Sequence, residues 1–121
     1  MRVLVCGGRD FKDVKKFVHT LEIILRHHDD ILIISGYDKD KDYPSGADKY
    51  AYNYAIVRDI HNKMFPYHYH LGKKGGSSRN QQMLDEGKPD LVIAFPTEKS
   101  IGTWDMVRRA EKAGIEVKVI K

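Results

Sequence analysis

The sequence predicts a three-layer α/β sandwich built on a five-stranded parallel sheet in the order 3-2-1-4-5. Three observations predict it. Apolar runs of strand length alternate with segments whose apolar residues recur at helical spacing. The runs at Arg2–Cys6, Ile31–Ser35 and Asp90–Pro96 are nearly continuous in apolar residues, as strands buried on both faces of a parallel sheet are. Each run leads into glycines and polar groups: Gly7-Gly8-Arg9-Asp10 after the first, and Gly36 with Ser45-Gly46-Ala47-Asp48 after the second. The third leads to a loop ending Ile101-Gly102-Thr103-Trp104-Asp105. If the three runs are neighbouring strands, these loops meet at one rim, where open α/β sheets bind ligands.

The elements follow in order. After the strand at Arg2–Cys6, the residues Val14, Phe17, Val18, Leu21, Ile24 and Leu25 mark a helix, with Asp10 or Asp13 as its cap. Ile31–Ser35 is the second strand. Ala47, Tyr50, Ala51, Tyr54 and Ala55 mark a second helix whose small residues let it lie close to the sheet. Lys63–His70 is the third strand, and Pro66 within it suits an edge position. Ser78–Glu86 forms a third helix closed by Gly87 and Pro89. Asp90–Phe95 is a central strand. Thr103–Ala113 is a fourth helix, with Met106, Val107 and Ala110 inward and Gly114 as its stop, and Val117–Ile120 completes the sheet. Right-handed crossovers then place the switch point between the first and fourth strands, with Gly7–Asp10 and residues 97–103 on either side of a crevice.

The 121 residues suit one domain, 1–121, without repeats or linkers. A single cysteine, Cys6, excludes an internal disulfide framework and fits a reducing compartment. No apolar stretch approaches membrane-spanning length, so the expectation is a cytoplasmic protein with no membrane partner. The net charge of +4 is compatible with nucleic acid or with small anions, and the lysines are spread along the chain rather than blocked.

The rim motifs carry the chemistry. Gly7-Gly8-Arg9-Asp10 is not a dinucleotide fingerprint, but its glycines let backbone amides approach an anion just before a helix begins; an ordinary turn with Arg9 and Asp10 pairing is the alternative. Gly102-Thr103 opens the fourth helix, where unsatisfied N–H groups favour phosphate and Thr103 can equally be a plain cap. Gly75-Gly76-Ser77-Ser78-Arg79-Asn80 places Arg79 in the first turn of the third helix, against the helix dipole, which a bound anion would explain.

Other patterns carry less. Asp38, Asp40 and Asp42 resemble the start of a calcium loop, yet Tyr43 and Lys49 stand where that loop needs Gly and Glu. His68 and His70 share a strand face without a third ligand, so no metal is expected. Cys6 reads as a core residue, and Trp104 as a core residue or a surface for a base.

Taken together, RVLVCGGRDF, the SG and SGAD pair, SSRNQQMLDEGKPDLVIAFP and GTWDMVRRA resemble the YspA-like branch of the SLOG superfamily. That superfamily also holds the Lonely Guy phosphoribohydrolases and the DNA-processing protein DprA. The resemblance spans nearly the whole chain. It implies a Rossmann-like fold with a nucleotide or nucleotide-derived ligand at the strand C-terminal rim. Gly7, Gly8, Arg9, Gly46, Asp48, Arg79, Asn80, Gly102 and Thr103 would line the site, with Asp10 and Gly36 beside them. Arg79 occupies the place of the hydrolases' catalytic arginine. Thr97-Glu98-Lys99-Ser100 replaces their glycine pair, and Met106 stands where they have a glutamate, with Asp105 adjacent. The loop Tyr37–Pro44 is an insertion relative to the compact loop usual in that branch.

Three functions follow as expectations. The first is a binding module for a nucleotide-derived signal such as an ADP-ribose-like molecule, with phosphate on Gly7-Gly8, Gly102-Thr103 and Arg79, and ribose on Asp48 or Asp10. The second is a phosphoribohydrolase with Asp105 or Glu98 as acid and Arg79 steering phosphate. The third is DprA-like binding to single-stranded nucleic acid. No cofactor is expected, and relatives in the superfamily suggest a homodimer or higher homo-oligomer.

Overall fold

Every residue of Leu91–Phe95 is buried, as are the middle residues of Arg2–Gly7 and Leu32–Tyr37, so these runs are inner strands of a sheet covered on both faces. A computed structural model of the chain describes residues 1–37 and 46–121; Asp38, Asp40, Asp42 and Ser45 lie outside the described residues, as does the insertion after Tyr37. The elements run β1 (Arg2–Gly7), α1 (Val14–Leu25), β2 (Leu32–Tyr37), α2 (Ala47–Val57), β3 (His61–Pro66), a short 3₁₀ segment (Tyr69–Lys74), α3 (Gly75–Gly87), β4 (Leu91–Phe95), α4 (Ile101–Lys112) and β5 (Glu116–Val119). All four strand pairings are parallel, and the order is β3-β2-β1-β4-β5, as the alternation of elements predicts. This is the Rossmann-like α/β arrangement, with β3 and β5 at the edges.

Side chains alternate across the sheet into two cores. Val3, Val5, Ile33 and Ile93 face α1 and α2, together with Phe17, Leu21, Ala51 and Ala55. Leu4, Cys6, Ile34 and Val92 face α3 and α4, together with Met83, Met106 and Ala110. The first core is capped near the strand C-termini by an aromatic group, with ring centroids 4.8 Å apart for Phe17–Phe95 and 5.1 Å for Phe11–Phe95. Asp13 is the cap of α1, its carboxylate accepting from the Lys16 N–H at 3.1 Å.

Several boundaries differ from the sequence expectation by a residue or two, and four differences have a clear physical reason. β3 stops at Pro66 instead of running to His70, because a proline that cannot donate to the ladder ends it there. α3 begins at Gly75 rather than Ser78: the 3₁₀ segment leads into it, and Gly75 packs where an added Cβ would lie 2.5 Å from the Tyr67 ring. Two glycines of poor helix propensity are thus recruited by packing. α4 begins at Ile101, with Ser100 rather than Thr103 at the cap position. Gly87 does not end α3 but completes it, because a Cβ there would press to 3.1 Å from Ile34 Cδ1 and its carbonyl accepts from Arg2 Nε at 2.6 Å.

The left-handed turn therefore falls on Lys88, with φ of 49°. A β-carbon in that conformation costs about 1 kcal/mol, part of which glycine returns through its freer unfolded chain. Lys88→Gly is expected to stabilise the protein by about 0.5 kcal/mol, read as a higher urea midpoint at unchanged slope.

Candidate functional site

The C-terminal rim is assembled by backbone contacts before any side chain acts. The Gly8 carbonyl accepts the Phe11 N–H at 3.1 Å and the Ala47 N–H at 3.3 Å, and the Gly8 N–H donates to the Phe95 carbonyl at 3.2 Å. Gly46 has φ of 59°, and a Cβ on it would lie 2.6 Å from the Arg9 carbonyl oxygen. Gly7 is equally confined, its Cβ position 2.7 Å from the Phe95 carbonyl oxygen. These glycines hold the start of α2 directly against the loop after β1, so their first duty is assembly.

That placement brings Asp48, in the first turn of α2, over the end of β2, where its carboxyl accepts a hydrogen bond from the Gly36 N–H. From the other face of the sheet Arg79 reaches the same spot. Its guanidinium lies across Gly36, where an added Cβ would be 2.6 Å from Cζ. Nη1 donates to the Phe65 carbonyl at 3.3 Å and Nε to Asn80 Oδ1 at 3.4 Å, both long for a charged donor. Burial pushes the Asp48 carboxyl up to about 7, against the opposing pull of Arg79, the Gly36 N–H and Arg9. Burial likewise lowers the Arg79 guanidinium, with Asp48 opposing, and pushes the Cys6 thiol up. Arg9 is exposed and close enough to act on both Asp48 and Arg79. Gly36, Asp48, Arg79, Arg9 and Cys6 thus form one charged cluster over β1 and β2.

The expected crevice between β1 and β4 is bridged instead. Thr97 Oγ1 donates to Asp10 Oδ1 at 2.6 Å, and this bond is the main reason the exposed Asp10 carboxyl lies below its ordinary range. Asp10 is therefore a latch between the two loops and not the helix cap, its Oδ1 committed to Thr97. Arg79 sits in the second turn of α3, not the first, so the dipole argument for an anion does not apply to it.

Asn80 is buried and ties α3 to α4, Nδ2 donating to the Gly102 carbonyl at 3.1 Å and to Asp105 Oδ2 at 3.0 Å. The same Asp105 oxygen accepts Arg109 Nε at 2.9 Å. Asp105 is thus engaged as a helix-to-helix tie. Thr103 is buried, Gly102 is exposed with open space over its Cα, and Glu98 is exposed on the loop before α4. Ser100, beside them, folds its hydroxyl back to accept from the Thr97 N–H at 2.7 Å.

His68 and His70 leave the strand for the 3₁₀ segment, their ring centroids 5.8 Å apart. His68 Nε2 meets Gln82 Oε1 at 2.7 Å and Nδ1 meets Ser78 Oγ at 2.9 Å, which assigns the proton to Nε2. Among the described residues no group of three or more His, Cys, Asp or Glu is placed to hold a metal ion, and no helix is long and apolar enough to cross a membrane. Two surface hollows lie away from the charged cluster: one of about 520 Å³ beside Glu22, Asp30, Tyr54 and Arg58, the other of about 650 Å³ beside His68, Leu71, Ser78 and Arg109.

The sequence did not point to the Phe65 carbonyl or Tyr67 as parts of this rim. The one available signal was Gly75-Gly76, whose lack of side chains admits the Tyr67 ring.

With the geometry in place, comparison with known proteins adds a relative. No family model matches the chain. The Gene 61 protein of Mycobacterium phage D29 is 31% identical over 122 residues, covering 96% of this chain and 93% of that protein. This chain belongs to the family of that phage protein. Among solved structures, a universal stress protein in complex with cAMP superposes with a TM-score of 0.56 at 14% identity, covering 99% of this chain and 97% of the other, a likeness of fold. A lipopolysaccharide core biosynthesis protein from Thermoplasma volcanium gives a TM-score of 0.49 at 15% identity, covering 98% and 93%.

Two outcomes follow. Gly46→Ala strains the backbone against fixed carbonyls and is expected to destabilise by about 1–3 kcal/mol, whereas Gly36→Ala displaces only the mobile Arg79 end and costs less than about 1 kcal/mol, both measured by urea unfolding. The raised Asp48 group binds its proton more tightly folded than unfolded. Its contribution is therefore complete below about pH 4, declines as pH rises, and is lost above about pH 7; Asp48→Asn is expected to flatten that stretch of the stability curve.

Proposed function

We propose that this protein binds a nucleotide or nucleotide-derived ligand at the C-terminal rim of its sheet, as a member of the YspA-like branch of the SLOG superfamily. The observation that carries this reading is the pair of guanidinium groups, Arg79 and Arg9, brought together at the rim among the described residues. Arg79 is brought into a partly desolvated position by two long hydrogen bonds, Arg9 stands beside it, and burial pushes the facing carboxyl of Asp48 up to about 7. An anion of phosphate type is the group that completes such a site, because a guanidinium fork matches its oxygens in two parallel bonds. A universal stress protein of similar fold carries cAMP in its crystal structure, which supports a nucleotide as the guest.

Binding is preferred over hydrolysis because Asp105 is shared between Asn80 and Arg109. Asp48, rather than the latched Asp10, is the carboxyl that meets the ligand.

Isothermal calorimetry with ADP-ribose and adenosine 5′-monophosphate at low salt checks the reading. Saturable binding is expected, and Arg79→Ala should weaken it by about 10- to 100-fold, the worth of a charged hydrogen-bond pair. No heat and no thermal stabilisation from any nucleotide of the panel would overturn the reading.

A further inference from the structure

We propose that Ser78 is a second reactive centre, a nucleophile activated by His68 and Gln82 that cleaves small carboxylic esters in the hollow beside α3. This goes beyond nucleotide binding at the rim and stands independently of it.

Local sequence builds the constellation. Ser78 and Gln82 are four residues apart on α3, so they share one face of the helix. The bare backbone of Gly75 and Gly76 lets the Tyr67 ring pack on the start of that helix, where an added Cβ would lie 2.5 Å and 3.2 Å from the ring. His68 follows Tyr67 in the chain and is thereby set over that face. Its Nδ1 lies 2.9 Å from Ser78 Oγ, and its Nε2 lies 2.7 Å from Gln82 Oε1. An amide oxygen only accepts, so Nε2 carries the proton and Nδ1 accepts from the Ser78 hydroxyl. Nucleophile, base and orienting group thus stand in one chain of hydrogen bonds. All three side chains are half-buried and line the hollow of about 650 Å³, a volume suited to a small ligand.

The chemistry follows from that order of contacts. Ser78 Oγ bonds to the ester carbonyl carbon while its proton passes to His68 Nδ1. The departing alkoxide takes that proton as the C–O bond breaks. Water then attacks the acyl-serine and gives a proton to Nδ1, which returns it to Oγ as the carboxylic acid leaves. Ser78 lies in the first turn of α3, whose positive dipole end favours negative charge, and Lys74 brings a cation to the same hollow. Arg109 forms part of the wall but is committed to Asp105 and Gln81. A neutral amide stabilises the imidazolium less than a carboxylate does, so the substrates are esters with good leaving groups rather than amides.

The direct check is diisopropyl fluorophosphate on the intact protein, followed by peptide mass mapping. An adduct is expected on Ser78, with loss of fluoride, and none on Ser77, whose hydroxyl donates to the Lys74 carbonyl at 3.2 Å. Hydrolysis of p-nitrophenyl acetate is expected to fall about 100-fold in Ser78→Ala and in His68→Ala, the worth of a positioned base. Gln82→Glu, which sets a carboxylate against Nε2, should instead raise the rate several-fold, a gain that a purely structural contact does not give. Wild-type protein that leaves Ser78 unlabelled would refute the proposal without any variant. Hydrolysis that survives Ser78→Ala, or labelling at equal rate in His68→Ala, would refute it too. None of these results touches ADP-ribose binding, so failure here leaves the nucleotide reading intact.

Discussion

The rim depends on one close approach of backbone to backbone. Gly8 offers its carbonyl to two N–H groups, Phe11 and Ala47, and Gly46 turns through a left-handed conformation against that same carbonyl and the next. Neither approach leaves room for a β-carbon. Because the gap is closed by main chain alone, α2 starts in contact with the β1 loop, and its first turn is directed over the sheet edge. Asp48 follows two residues after Gly46, and its environment is a consequence of that contact.

From this junction the electrostatics follow. A carboxyl moved over the ends of β1 and β2 loses water, and the nearest compensation comes from Arg79, which crosses from the opposite layer because Gly36 leaves it space. Among the described residues, Arg79 also makes long bonds to the Phe65 carbonyl and to Asn80. The opposite side of the rim is settled differently: Thr97 and Asp10 close the switch-point crevice, and Asp105 is committed to Asn80 and Arg109. The charged cluster among the described residues therefore stands over β1 and β2, one strand from where topology alone would place it.

Much of this was legible in the chain. Continuous apolar runs at β1, β2 and β4 revealed buried parallel strands, and alternation with helical periodicity revealed the strand order. What local rules misjudged were the places where packing outweighs propensity. Gly87 reads as a helix stop, but Ile34 requires its missing side chain inside the helix, so Lys88 takes the turn. Gly75 and Gly76 read as a loop, but the Tyr67 ring needs their bare backbone and the helix begins there.

The sequence by itself determined the architecture and the residues gathered at the rim, because periodicity and burial follow from which side chains avoid water. It also singled out Arg79, Asp48 and the glycines as residues of that rim. Only the tertiary structure decided their roles, because hydrogen-bond partners come from segments distant in the chain. Asp10 and Asp48 are both rim carboxyls in the sequence. Thr97, eighty-seven positions away, lowers one and leaves it exposed. The Gly8–Gly46 contact buries the other and raises it, and that difference in solvation separates an exposed latch from a buried acid.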